Sequence, residues 1–93
     1  MKFEWDEQKN QLNIEHHEID FNDVYMVFDN PMLKRIDNRK DYGEERWISL
    51  GKLDGVVVVV VYTVRKDVIR IISVRRGNRN ERKIYETQFG KQN

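Results

Sequence analysis

Six consecutive valines, Val56 to Val61, continued by Tyr62-Thr63-Val64, constrain this chain more than any other feature it contains. Two branches at Cβ restrict valine in a helix and suit it to the pleated surface of a sheet. A strand with one wet face alternates apolar and polar residues. Six valines with no polar position between them read instead as a strand covered on both faces, and therefore central in its sheet. The run is about half of the ~20 apolar residues a helix needs to cross a bilayer. Asp54-Gly55 ahead of it is a two-residue hairpin signal. A second turn around Arg65 to Asp67 leads into VIRIISVRR, Val68 to Arg76. With ERWISLGKL (Glu45 to Leu53) on the other side, the three segments predict an antiparallel meander.

The remaining segments are shorter. KFEW (Lys2 to Trp5) alternates and reads as a first strand. Asp6 is placed to cap a helix running to about His16. Phe21, Val24, Tyr25 and Phe28 fall at i, i+3, i+4 and i+7, one face of a second helix, with Asp20 as its cap and Asp29-Asn30-Pro31 as its end. MLKRID (Met32 to Asp37) reads as a short strand. Asn78 stands three residues before Glu81, a capping-box spacing that opens a last helix carrying Ile84, Tyr85, Gln88 and Phe89. The predicted fold is α+β: β-α-α, then a four-stranded antiparallel sheet, then a short C-terminal helix. At 93 residues the chain is expected to form one domain, 1–93.

Composition removes several chemistries. There is no cysteine, hence no disulfide framework and no thiolate metal site. His16 and His17 are neighbours, and adjacent residues of a helix do not converge on one ion, so no metal is expected. MKFEWDEQKN is charged throughout and lacks the apolar core of a signal peptide. A soluble cytoplasmic protein with no membrane association is the expectation. No nucleophile elbow, P-loop or dinucleotide fingerprint occurs.

Charge is distributed unevenly. Residues 1–30 hold two basic and eight acidic side chains; residues 65–93 hold nine basic and three acidic ones. The basic excess centres on ISVRRGNRNERKIYE (Ile72 to Glu86), where a strand is expected to pass into a helix. Simple alternation along VIRIISVRR places Arg75 with Ile69 and Ile71, and Arg70 with Arg76 on the opposite face. Arg79, Arg82 and Lys83 share one side of the helix. Guanidinium forks suit phosphate, a helix N-terminus offers free amides, and Gly77 permits close backbone approach. The junction therefore reads as a phosphate-binding corner, unless its arginines are neutralised by the acidic N-terminal third.

The segments FEWDEQKNQLN (Phe3 to Asn13), NIEHHEIDFNDVYMVFDNP (Asn13 to Pro31), GEERWISLGK (Gly43 to Lys52) and RIISVRRGNRNERKIYE (Arg70 to Glu86), in that order, resemble the BrnT family of toxins from bacterial type II toxin–antitoxin systems. Family members usually carry N-x-x-K-H-G at the end of the first helix. Here Asn13 leads to His16, His17 and Glu18, so a role for that lysine does not carry over and the helix needs a different C-cap. The resemblance implies a ribonuclease with a RelE-like fold and no cofactor. It also implies an RNA substrate and a BrnA-like antitoxin, whose ribbon-helix-helix domain would bring the complex to operator DNA. Arg46, Arg75, Arg79, Arg82 and Glu81 match the family's pattern, with Tyr62 and Arg65 at the end of the central strand as further matches.

Metal-free RNA cleavage proceeds by attack of the 2′-OH on the neighbouring phosphate. It requires a base, a cationic cradle for the phosphorane and a proton for the leaving oxygen. On this reading Glu44 or Glu45, with Glu81 behind them, is the base. Lys52 would replace them only with a pKa far below its usual value of about 10.4. Arg46 and Arg75 stabilise the transition state. Arg65, Arg76, Arg79, Arg82 and Lys83 bind flanking phosphates, and Tyr62 stacks on a base, a role open also to Tyr42 and Tyr85. The competing reading is a basic nucleic-acid-binding or regulatory module without catalysis.

Overall fold

Both hairpin turns of the meander place two successive residues in left-handed backbone geometry: Asp54 and Gly55 at φ 51° and 78°, Lys66 and Asp67 at φ 48° and 67°. Turns of this hand match the twist of the strands they join. A computed structural model of the chain describes residues 1–90. Its elements are β1 (Lys2–Glu4), α1 (Glu7–His17), a 3₁₀ turn (Phe21–Asp23), α2 (Tyr25–Phe28), β2 (Leu33–Ile36), β3 (Trp47–Leu53), β4 (Val56–Arg65), β5 (Val68–Arg76) and α3 (Arg79–Phe89). The expected domain extends through residues 91–93, which lie outside the described residues.

The valine strand is central, as its composition requires: the sheet order is β1-β5-β4-β3-β2. The expectation of four antiparallel strands is corrected to a five-stranded mixed sheet. KFE joins β5 in parallel, from Lys2 opposite Val68 to Glu4 opposite Arg70. Without it, the outer backbone groups of β5 would form an open edge. Beyond the reach of β1, the buried side chain of Asn13 takes over part of that edge: its Oδ1 accepts the Val74 N–H at 3.1 Å, and its Nδ2 donates to the Ile19 carbonyl. Asn10 likewise accepts the Phe21 N–H at 2.8 Å. Polar pins thus hold α1, whose apolar positions are few, against the sheet.

Two neighbours on β3 define the layers. A Cβ on Gly51 would lie 2.4 Å from Val27 of α2, whereas the Lys52 ammonium sits over the Tyr85 ring of α3. Successive strand residues point to opposite faces, so α2 and α3 cover opposite sides of the sheet. On the α2 side, Val58, Val60, Tyr62, Ile69, Ile71 and Val74 form the core with Ile19, Phe21, Val24 and Val27. On the α3 side, Val57, Val59 and Val61 are also buried.

The second helix departs from the expected stripe. Its first turn is 3₁₀, with three residues per turn, so the buried set runs Phe21, Val24, Val27 and leaves Tyr25 52% exposed. At the end of α1, Glu18 adopts the left-handed position (φ 58°) that glycine would occupy without steric cost.

Candidate nucleic-acid interface

The strand-to-helix junction does not gather its five cations. A bulge in β5 interrupts the ladder between Val61 and Tyr62: Val61 faces Ser73, whereas Tyr62 faces Ile71, leaving Ile72 without an opposite number. One extra residue reverses the alternation beyond it. The expectation that Arg75 shares a face with Ile69 and Ile71 is therefore corrected. Arg75 pairs in register with Val59 and turns to the α3 side, where Nη1 and Nη2 donate to the two Glu81 oxygens at 2.8 and 2.9 Å. Arg76 turns to the α1 side and donates to the His17 carbonyl at 2.8 Å. Arg82 donates to the Gly77 carbonyl, while Arg79 and Lys83 project into solvent.

Two further parts of the anion corner are already occupied from within. The capping box of α3 is closed: Asn78 Oδ1 accepts the Glu81 N–H, and Glu81 Oε1 accepts the Asn78 N–H, both at 2.8 Å. Gly77 is bare because β4 passes close by. Its N–H donates to the Val57 carbonyl, and a Cβ there would meet Val57 at 3.1 Å. Neutralisation by the acidic N-terminal third is also limited. Arg70–Glu4 ties the basic C-terminal third to the acidic N-terminal one and Arg65–Glu44 ties it to the middle of the chain, whereas Arg39–Asp37, Arg46–Glu44 and Arg75–Glu81 are local.

The charged groups that do converge lie on the α3 side of the sheet and in the loop between β2 and β3. Arg46 continues the β2–β3 ladder, its carbonyl accepting the Asp37 N–H at 2.7 Å. Alternation then gives its side chain the face of Ile48, Leu50 and Lys52. Its guanidinium lies 3.9 Å from the centroid of the Tyr42 ring, and its Nε is buried without a hydrogen-bond partner among the described residues. Glu44 stands beside it. Oε1 accepts from Arg65 Nε and Nη2 at 3.0 and 2.7 Å, and Oε2 lies 4.0 Å from Arg46 Nε. Arg39 grips Asp37 through Nε and Nη2 at 2.8 and 2.7 Å, and the Tyr42 hydroxyl reaches the same carboxylate at 3.4 Å. An open groove of about 350 Å³ runs between α3 and the β2–β3 edge, lined by Leu33, Arg35, Ile48, Leu50, Glu81 and Ile84 among others.

Electrostatics follow from these contacts. Hydrogen bonds from Arg75 hold the Glu81 carboxyl below the usual glutamate range, and those from Arg39 hold Asp37 well below the aspartate range. Arg75 is raised chiefly by its bond to Glu81, while the charge of Arg39, close enough to be felt, acts against it. Both Glu81 oxygens accept from Arg75, and Oε1 accepts the Asn78 N–H as well, so Glu81 is placed to orient Arg75. Glu45 is exposed, with its carbonyl accepting from the Thr63 hydroxyl at 2.6 Å.

Tyr62 requires a correction. It is 4% exposed on the α2 side, its ring packed edge-on against Phe28 at 5.1 Å, and burial pushes its phenol pKa up. Neither ring face is open to a base. Tyr85 is core as well, donating to the Pro31 carbonyl at 2.8 Å. Sequence reasoning passed over Asp37 and Arg39, which lie in a loop without periodicity. The density of charge in RIDNRKDYGEER, Arg35 to Arg46, was the available signal.

Among the described residues no helix is long and apolar enough to cross a membrane, and no three His, Asp or Glu side chains group as metal ligands. No curated protein matches the sequence. A family model described as "Ribonuclease toxin, BrnT, of type II toxin-antitoxin system" matches residues 5–81. That stretch contains β2 to β5, the loop bearing Asp37, Arg39 and Arg46, and the Arg75–Glu81 pair, and stops before Arg82 and Lys83. The match covers most of the chain, and the protein belongs to the BrnT family of ribonuclease toxins of type II toxin–antitoxin systems.

Proposed function

We propose that this chain is a RelE-like endoribonuclease that cleaves RNA in the cytoplasm without a metal ion, on the sheet face beside α3. The observation that carries the reading is the Arg75–Glu81 pair. Of five guanidinium N–H groups, Arg75 commits one to each Glu81 oxygen and one to the Arg76 carbonyl. That leaves Nε–H and one Nη2–H, an adjacent pair in the geometry that phosphate accepts. Its side chain is 41% exposed, so the fork is both fixed and accessible.

In the proposed reaction Glu44 removes the 2′-OH proton through Oε2, the oxygen not engaged by Arg65. The 2′-oxygen then bonds to phosphorus, the bond to the 5′-oxygen breaks, and water supplies the proton that oxygen takes up. Arg75 and Arg46 carry the charge of the phosphorane. Arg65, Arg79 and Lys83 hold flanking phosphates, Arg82 extends the same helix side, and Arg76 serves RNA only at the far edge, because β5 turns it away. A BrnA-type antitoxin silences the enzyme by covering this face, and its ribbon-helix-helix domain takes the complex to operator DNA.

The test is cleavage of labelled single-stranded RNA in EDTA. Wild type is expected to cut, Arg75→Ala to cut about 10²–10³-fold more slowly, and Glu44→Gln to lose the neutral-pH activity. Cleavage abolished by EDTA would overturn the metal-free chemistry. Intact RNA together with salt-dependent binding by the wild type would replace the enzyme with a non-catalytic binding module.

A further inference from the structure

Asp37 carries a carboxylate with 1% of its side chain exposed, and its principal partner is an arginine that is 63% exposed. As a stability device this is poor, because taking an ionised carboxylate out of water consumes most of what the pair returns, and an apolar residue would serve the fold as well. As a positioning device it is effective. Asp37 is fixed by its own N–H on the Arg46 carbonyl and accepts the Arg39 backbone N–H at 3.3 Å. Its Oδ1 and Oδ2 then hold Arg39 Nε and Nη2. The Tyr42 hydroxyl touches the same carboxylate, and the Tyr42 ring lies against the Arg46 guanidinium. Two guanidinium groups are thereby mounted on one scaffold.

We infer that Arg39 is a further phosphate-binding residue of this site, gripping the phosphate next to the scissile one, and that Asp37 is its positioning residue. The inference rests on the reading of this face as the RNA site. Two of the five Arg39 N–H groups go to Asp37, so both on Nη1 and one on Nη2 remain for RNA. Tyr42 ties this arginine to the proposed site, its hydroxyl reaching Asp37 at 3.4 Å and its ring centroid lying 3.9 Å from the Arg46 guanidinium. Arg39 and Arg46, mounted side by side, suit two neighbouring phosphates of one strand.

The experiment compares binding and cleavage of one labelled single-stranded RNA by Asp37→Asn, Arg39→Ala and the double variant of the full chain. Asp37→Asn makes the protein more positive. Charge alone would tighten RNA binding, whereas loss of positioning weakens it. The double variant keeps the formal net charge and leaves no buried carboxylate unpaired, so it decides the matter if either single variant fails to fold. Its expected behaviour is a rise in KM of about tenfold with kcat near wild type. The slope of log affinity against log salt should fall by about 0.7, one phosphate contact on a single strand. Tighter binding by Asp37→Asn, or wild-type affinity and slope in the double variant, would overturn the role of Arg39. Wild-type cleavage and binding by Arg75→Ala would overturn the sheet-face reading itself, whatever the Arg39 variants do.

Discussion

The two faces of β4 are built from the same residue type and do different work. Val58 and Val60 lie under the 3₁₀ turn and α2, in a core completed by Phe21, Val24, Val27 and Tyr62. Val57, Val59 and Val61 are as well buried, but their face bears Arg75 from β5 and, next to them, Glu81 from α3. One face is closed by aromatic packing and buried asparagines; the other is bordered by ion pairs whose guanidinium groups keep donors to spare. Burial alone does not separate them. What distinguishes the α3 side is that its covering groups are charged, hydrogen-bonded and incompletely saturated.

The contrast is broken most strongly from the closed side. Phe21→Ala, at a residue 1% exposed, is expected to destabilise the fold by about 3–5 kcal/mol. Denaturant melts should show this against a much smaller change for Arg75→Ala, whose effect under the proposed function falls on cleavage; equal destabilisation by the two would erase the distinction.

Gly51→Ala comes next. The added methyl would meet the Val27 side chain at 2.4 Å, and Val27 is fully buried, so a loss of about 1–3 kcal/mol in the same melts is expected. An unchanged midpoint would mean that α2 can lift from the sheet.

The smallest effect is on pH dependence and isolates the α3 side. Arg75 lowers the pKa of Glu81 in the folded chain. A carboxylate with a depressed folded pKa contributes stability above its unfolded pKa, about 4.3 for glutamate, and this is lost as pH falls through the folded value. Glu81→Gln should therefore flatten the acid limb of a melting-temperature profile below that pH, leaving the contributions of Asp37 and Asp20 in place. An acid limb of the same slope in wild type and variant would remove Glu81 from the account.

Much of the scaffold was legible because its signals are local. Six valines need neighbours on both sides, Asp54-Gly55 needs a tight turn, and Asn78 with Glu81 closes a capping box within one turn of helix. Asp6 caps α1 through its Oδ1 as its position predicts. These depend on residues a few positions apart, and the chain carries them wherever it goes. The helix phase at Phe21 was less legible, because 3₁₀ and α-helical repeats differ by only about 0.6 residue per turn and both pass through Phe21 and Val24.

The site was legible only in its ingredients. Arginine, glutamate and tyrosine were present in the right regions, but the sequence by itself determined neither which face Arg75 takes nor what Arg39 touches. The bulge at Ile72 is set by register against β4, through pairs such as Val60 with Val74 and Val64 with Ile69, and a shift of one position there exchanges the two faces. β1 finds β5 across more than sixty residues, and its short length leaves the Val74 amide for Asn13. Asp37 and Arg39 acquire a role only when the β2–β3 loop folds back beside Arg46. Sequence alone determined the strands, the turns and the caps, since these are chosen by torsional preference and nearby hydrogen bonds. Tertiary structure decided which cations share a surface, since that depends on pairings between residues far apart in the chain.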